Sequence, residues 1–167
     1  AIRASSNNPI PFKVLDADDI SRVNLGQDVP VILSMTPSVN ITSDAGNGIG
    51  YTGMSIRGSD GSRINVTING VPLNDSESHA TYWVDLPDFA SSISSIQIQR
   101  GVGTSTNGAG AFGGSINVST KKQSQAPKFK LSNSFGSYGT LKNSISFSTG
   151  RVGKYFELSG NLSKIYS

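Results

Sequence analysis

The chain has 167 residues and a mass of 17.5 kDa, room for one domain or one domain and part of another, since domains run to about 100–200 residues. Hydrophobic residues make up 35% and charged residues 15%, and 19 are glycine, which suits turn-rich β structure better than a helical bundle or a charged disordered tail. The formal charge of +3 is uneven, with 8 Lys and Arg against 10 Asp and Glu in residues 1–122 and 6 against 1 in residues 123–167.

From Asp16, DADDISRVNLGQDVPVILSMTPSV predicts two short helical segments, with Asp16 or Asp18 as N-cap, Gly26 as a stop and Pro30 in the first turn of the second. Val29, Ile32 and Leu33, with Met35 beyond, are expected on the core side, and Pro37 ends the segment before an extended SVNIT. Glycines then recur from Asp44 to Gly61 around one short predicted strand, Met54–Arg57. In RINVTINGVPL, Ile64, Val66 and Ile68 alternate with polar residues, and Asn69-Gly70 supplies the positive φ angles of a tight hairpin. After the polar loop NDSESHATYW, a short helix is expected from Leu86-Pro87-Asp88 through Phe89 and Ile93, followed by an alternating strand, Ile96–Arg100. The glycine-rich GVGTSTNGAGAFGG precedes another alternating strand, SINVSTKK.

Beyond the linker QSQAP the pattern changes to three segments of about ten residues with strict period two. Phe129, Leu131 and Phe135 share a face in the first, Leu141, Ile145 and Phe147 in the second, and Phe156, Leu158 and Leu162 in the third, with serines and lysines prominent opposite. Gly136–Gly139 and Gly150–Gly153 are the predicted turns of an up-and-down meander, and Asn133 and Asn143 interrupt the apolar face. Segments of about ten residues, apolar outside and polar inside, suit a transmembrane β-barrel; an antiparallel sheet with one wet face has the same period.

The stretch SIRG…RINVTINGVPLND…SSISSIQIQRGVGTSTNGAGAFGGSINVSTKK resembles the plug of TonB-dependent receptors over residues 20–122. The matching motifs are Ile56-Arg57-Gly58, Val66-Thr67-Ile68-Asn69-Gly70-Val71-Pro72, Gln99-Arg100-Gly101, and Gly113-Gly114-Ser115-Ile116-Asn117 with Thr120-Lys121. Asn69 stands where the family commonly has Asp, and Asn adopts the same turn at least as readily. The resemblance implies an α+β plug domain, a small mixed sheet with short helices, followed by antiparallel strands of a transmembrane β-barrel of about 22 strands. Three strands cannot close such a barrel, so the chain is expected to be part of a longer protein. The expected organisation is an N-terminal segment near the Ton box (1–14), the plug (15–122), a linker (123–127) and the first three barrel strands (128–167).

The resemblance further implies energy-coupled import of a scarce nutrient, such as a ferric siderophore, across the bacterial outer membrane. Its partners would be TonB with its inner-membrane energising complex, the small-molecule cargo, and outer-membrane lipid around the barrel. Arg57 and Arg100 resemble family arginines that pair with carboxylates on the inner barrel wall, a breakable latch of bidentate bonds. Loops 74–83 and 103–112 are the candidate ligand contacts, with His79, Tyr82, Trp83, Asn107 and Phe112 foremost. Gly58, Asn69, Gly70, Gly101, Gly113 and Gly114, with Gly108 and Gly110, read as structural. The alternative reading is a soluble, secreted β-rich ligand-binding or adhesion module.

Other chemistry finds weaker support. One histidine near Asp75, Glu77 and Asp85 is poor material for a metal or hydrolase site, and the glycine-rich segment lacks the Gly-Lys-Ser/Thr of a phosphate loop. No enzymatic activity, metal or cofactor is therefore expected. The tail's lysines are dispersed and accompanied by no recognition motif, so nucleic acid is not an expected partner. The absence of cysteine excludes a disulfide framework, no run reaches the roughly 18 apolar residues of a membrane-spanning helix, and AIRASSNN has no signal-peptide core.

Overall fold

The computed structural model describes residues 11–102, 110–122, 124, 126–152 and 156–166. They fall in two compact units that divide between Thr120 and Lys121.

In the first unit, β1 (Phe12–Asp16) leads into α1 (Ala17–Val23). Asp16 is the cap, its carboxylate accepting the N–H groups of Asp18 (3.0 Å) and Asp19 (2.9 Å) and so satisfying two donors that a helix start leaves open. Helix α2 (Val29–Leu33) has Pro in its first turn and buries Val29, Ile32 and Leu33. It ends at Ser34, so Met35 leaves the helical face and is exposed, contrary to the expected core stripe. Strands β2 (Val39–Ser43) and β3 (Thr52–Ile56) form an antiparallel pair. The predicted strand end shifts, because Arg57 turns out of β3 with φ +51°.

Strands β4 (Ile64–Ile68), β5 (Val71–Pro72), β6 (Ile93–Arg100) and β7 (Gly114–Thr120) join β1 in a sheet of order β1-β6-β7-β4-β5, in which only the β4–β7 pair is parallel. Asn69 (φ +51°) and Gly70 (φ +88°) make the β4–β5 turn as the sequence predicts. Asn69 also closes onto β7: its amide donates to Thr120 Oγ1 at 2.9 Å and its carbonyl accepts the Thr120 N–H at 3.0 Å. The helix expected from Leu86 to Ile93 is reduced to a 3₁₀ turn, Phe89–Ser92. Asp88 enters it at φ +50° and accepts the Ser91 hydroxyl, while Ile93 already belongs to β6. The stretch Ala90-Ser91-Ser92 offers no apolar stripe to reward a longer helix.

The core lies on one face of the sheet, where Ile64, Val66, Ile96, Ile98, Ile116 and Val118 pack with Ile20, Leu33, Ile56 and Trp83. The alternate residues Thr67, Gln97, Gln99, Ser115 and Asn117 are buried as well, and Thr67 donates to Asn117 across the parallel pair at 2.8 Å. Glycine is required where β7 begins. A Cβ on Gly114 would stand 2.7 Å from the Gln99 carbonyl oxygen, and one on Gly113 would collide with the Ser59 side chain.

The second unit is an antiparallel meander of β8 (Lys128–Phe135), β9 (Leu141–Val152) and β10 (Phe156–Tyr166), in the order β10-β9-β8. Its register aligns the expected face in rows: Phe129–Phe147–Gly160, Leu131–Ile145–Leu162, Asn133–Asn143–Lys164 and Phe135–Leu141–Tyr166. The two asparagines are therefore one polar row, completed by Lys164, whose Nζ lies 4.6 Å from the Tyr166 ring centroid. The first predicted turn is present, with a 3₁₀ turn at Ser137–Gly139. Of the second, Gly150, Arg151 and Val152 belong to β9, and Gly153 lies outside the described residues. Gly150 (φ +65°) sits where the register shifts, and the Thr149 hydroxyl bonds Leu158 N (3.1 Å) and O (3.2 Å) there, replacing ladder bonds that the bulge breaks.

Candidate functional site

Because β4 and β7 run parallel and β6 runs against them, the starts of β4 and β7 and the end of β6 share one end of the sheet. Arg100 ends β6 there, and its Nη1 donates to the Pro37 carbonyl at 3.4 Å. The Arg57 N–H donates to the neighbouring Ser38 carbonyl at 2.9 Å, and a Cβ on Gly101 would lie 3.1 Å from Arg57 Nη1. The fold thus brings the two sequence-predicted latch arginines together around Pro37-Ser38. Among the described residues neither forms an ion pair, and Arg100 Nε is buried without a hydrogen-bond partner.

The loop after β5 returns to the same end because Asn74 ties it there. Its amide donates to the carbonyls of Ile64 and His79, each at 2.8 Å, and its Oδ1 accepts the Val66 N–H at 2.8 Å. Within the loop, the Asp75 carboxylate accepts the N–H groups of Glu77 and Ser78 and the Ser78 hydroxyl. Those bonds, led by the Ser78 N–H, hold its pKa below the usual carboxylate value. The Asp75 N–H to Ala80 O and His79 N–H to Asp75 O bonds close the loop. It is pre-organised, so a ligand meeting it has little chain left to order. Asn74, the organising residue, was not singled out in the sequence; a lone asparagine after Pro-Leu carries no distinguishing signal.

The predicted ligand residues divide. His79 is exposed at φ +58°, and Tyr82 is half-exposed with its hydroxyl 3.2 Å from Ser78 Oγ. Phe112 is exposed and lines a shallow pocket with Ser62, Arg63 and Gly110. Trp83 is only 3% exposed and belongs to the core cluster. With Tyr82 it lines a pocket of about 410 Å³ between β3 and residues 80–83. Asn107 and Gly108 lie outside the described residues. Gly58 and Gly101 have positive φ, as Asn69 and Gly70 do, whereas Gly113 and Gly114 serve close packing. Among the described residues no three of His, Asp and Glu gather to hold a metal ion, and no helix is long and apolar enough to cross a membrane.

A small mixed sheet with arginines at one end of its strands is followed along the chain by an antiparallel meander whose apolar side chains are exposed. The chain belongs to the TonB-dependent receptor plug domain family, whose model matches residues 4–115. That membership assigns it to the bacterial outer membrane, in a family of transport receptors. It is 27% identical over 119 residues to the probable TonB-dependent siderophore receptor PirA of Acinetobacter baumannii, an alignment covering 65% of this chain and 16% of that protein. Its fold is that of the ferric yersiniabactin uptake receptor FyuA of Yersinia pestis, with TM-score 0.66, 19% identity, and coverage of 98% of this chain and 25% of that one. The ferric enterobactin receptor PfeA of Pseudomonas aeruginosa is similar, with TM-score 0.68, 22% identity, and coverage of 94% and 25%. A copper transporter, OprC, shares the fold at TM-score 0.66 and 18% identity, with coverage of 88% and 23%. The chain therefore spans a quarter or less of the length of these relatives.

Proposed function

We propose that the chain is the plug and the first barrel strands of a receptor that imports a scarce nutrient, a ferric siderophore or similar iron chelate, with TonB supplying the force. The observation that carries this reading is the pairing of a family plug with strands of 8, 12 and 11 residues, close to the about 9–11 that cross a hydrocarbon core, whose apolar side chains are exposed. A protein of soluble origin would bury such a face.

In this reading residues 15–122 are the plug, 123–127 the linker, 128–167 the start of the barrel wall, and 1–14 lie near the segment that TonB grips. Arg57 and Arg100 latch the plug to carboxylates contributed by the rest of the wall. Two guanidinium groups gathered at one sheet end without an anionic partner among the described residues suit that task, because bidentate pairs hold firmly yet part under directed pull. Cargo rests on the tied loop bearing His79 and Tyr82 and on the segment that carries Asn107 and ends at Phe112. Trp83 supports that surface from below. No bond is made or broken, and no enzymatic step or cofactor enters. The siderophore relatives favour an iron chelate, while the copper transporter shows that this fold alone does not fix the cargo.

Calorimetry of the full-length receptor in detergent against ferric siderophores, haem, cobalamin and oligosaccharides tests the reading. One ferric siderophore is expected to bind the full-length protein tightly and the 167-residue chain weakly. Equal binding by the chain alone would point instead to a free-standing binding module. For the latch, Arg57→Gln with Arg100→Gln in the full-length receptor is expected to raise cell sensitivity to a large hydrophilic antibiotic; unchanged sensitivity would remove the latch.

A further inference from the structure

The pocket beside Tyr82 is not explained by cargo resting on exposed loops. Its walls come from β3 (Thr52 to Ser55), the start of β4 (Ile64 and Val66), the turn at Asp60-Gly61, and residues 80–83. At about 410 Å³ it falls within the range of small-molecule sites, roughly 300–1,000 Å³. Met54, Ile64, Val66 and Ala80 give it an apolar interior, and Tyr82 and Trp83 contribute aromatic surface.

Its lining carries a single charged group, and that group is negative. Asp60 is the lining's carboxylate, and none of the lining residues is basic. Asp60 is exposed at the rim, and the Ser62 hydroxyl and N–H both donate to it, holding its pKa below the ordinary value. Arg63, the nearest basic residue, follows in the chain but does not line the pocket. The Thr81 hydroxyl is buried in the wall with no hydrogen-bond partner among the described residues, although a buried hydroxyl ordinarily has one. An anion has no counter-charge among the lining residues, and an uncharged guest makes no use of the Asp60 carboxylate. A cation with an apolar body meets all three features: carboxylate at the rim, aromatic face and apolar floor.

We propose that this pocket is a binding site for a small organic ammonium ion, its charged head at Asp60 against the Tyr82 ring and its alkyl part over Met54, Ile64 and Val66. The site shares Tyr82 with the proposed cargo surface but needs neither the barrel nor a particular cargo.

Trp83 is the only tryptophan of the chain and lines the pocket, so its fluorescence reports occupancy directly. The experiment titrates the chain with n-butylammonium and, separately, n-butanol, which shares the alkyl body without the charge. The ammonium ion is expected to change Trp83 emission saturably and to bind at least about tenfold more tightly than the alcohol, with affinity falling as salt is added. Asp60→Asn should narrow the ammonium ion's advantage to the severalfold that the Tyr82 ring alone supplies. Because Asp60 also caps the 3₁₀ turn at Gly61–Arg63, Tyr82→Leu serves as a second variant. It should weaken the ammonium ion severalfold and leave the alcohol nearly unaffected. Equal affinity of the two ligands in the wild-type chain, no saturable change with the ammonium ion, or a preference that survives both substitutions undiminished would each overturn the proposal. A full-length receptor that binds no siderophore would defeat the import reading and leave this site standing.

Discussion

The strands β6 and β7 and the strands β8 to β10 follow the same alternating rule in sequence and meet opposite fates. In the first pair Ile96, Ile98 and Ile116 are fully buried, and the intervening Gln97, Gln99 and Asn117 are buried too. In the meander the apolar residues face outward, with Phe129 72% and Phe156 76% exposed. A period of two says only that side chains divide between two faces. What covers each face is decided by the rest of the structure, and here neither sheet follows the usual apolar-in, polar-out arrangement of a water-soluble antiparallel sheet.

The largest expected effect contrasts the two faces directly. Ile98→Ala should cost about 2–5 kcal/mol of stability in denaturant unfolding, whereas Leu162→Ala on the exposed row should stay within about 0.5 kcal/mol. A comparable loss at both sites would show that the meander's outer face is packed against protein. In the full-length receptor the contrast turns over. Leu162→Arg should cost about 2–4 kcal/mol in a bilayer, read from unfolding in lipid vesicles. Absence of that cost would remove lipid as the covering medium.

A smaller change probes how closely the first sheet is packed. Gly114→Ala places a methyl group 2.7 Å from a backbone oxygen that cannot swing aside, with an expected loss of about 1–3 kcal/mol in the same unfolding assay.

The smallest effect concerns pH. Asp28 is buried, which raises its pKa above 3.8 despite the Thr52 hydroxyl at 2.9 Å and the Gly50 N–H that oppose the shift. A carboxyl with a raised folded-state pKa contributes most when protonated, below about pH 4, and that contribution is lost as pH rises through the elevated value. Asp28→Asn keeps an acceptor for Thr52 and removes the charge. Its melting temperature should match that of the wild type near pH 3.5 and exceed it at pH 7; a lower value at pH 7 would show that the buried charge is net favourable.

Much of the first unit was legible before any coordinates. The Asp16 cap, Pro30 in the first turn of α2, the Asn69-Gly70 hairpin and the alternation of Ile64, Val66 and Ile68 are local signals, settled by neighbouring residues alone. The misses share one cause. Met35 continues an apolar run but lies beyond a helix that stops at Ser34. Leu86 to Ile93 looked helical by composition, yet a left-handed Asp88 and a long β6 claimed it. Gly150 read as a turn residue and proved to be a bulge inside β9, because the partner strand was invisible in sequence.

The candidate site divides in the same way. Sequence named Arg57 and Arg100 as strand-end arginines, and folding supplied their shared location at Pro37-Ser38. Sequence also named Tyr82 and Trp83, but only packing sent the indole into the core and opened a pocket between β3 and residues 80–83, with Asp60 at its rim. Those residues are far apart along the chain and share no periodicity.

By itself the sequence determined where most strands lie along the chain, though not β1, together with the hairpin and the family to which its motifs belong, because backbone preferences and spacing act within a few residues. Only the tertiary structure decided that glutamine and asparagine are buried in one alternating sheet while phenylalanine is exposed in another. Burial depends on what arrives from distant segments, and no local pattern carries that information.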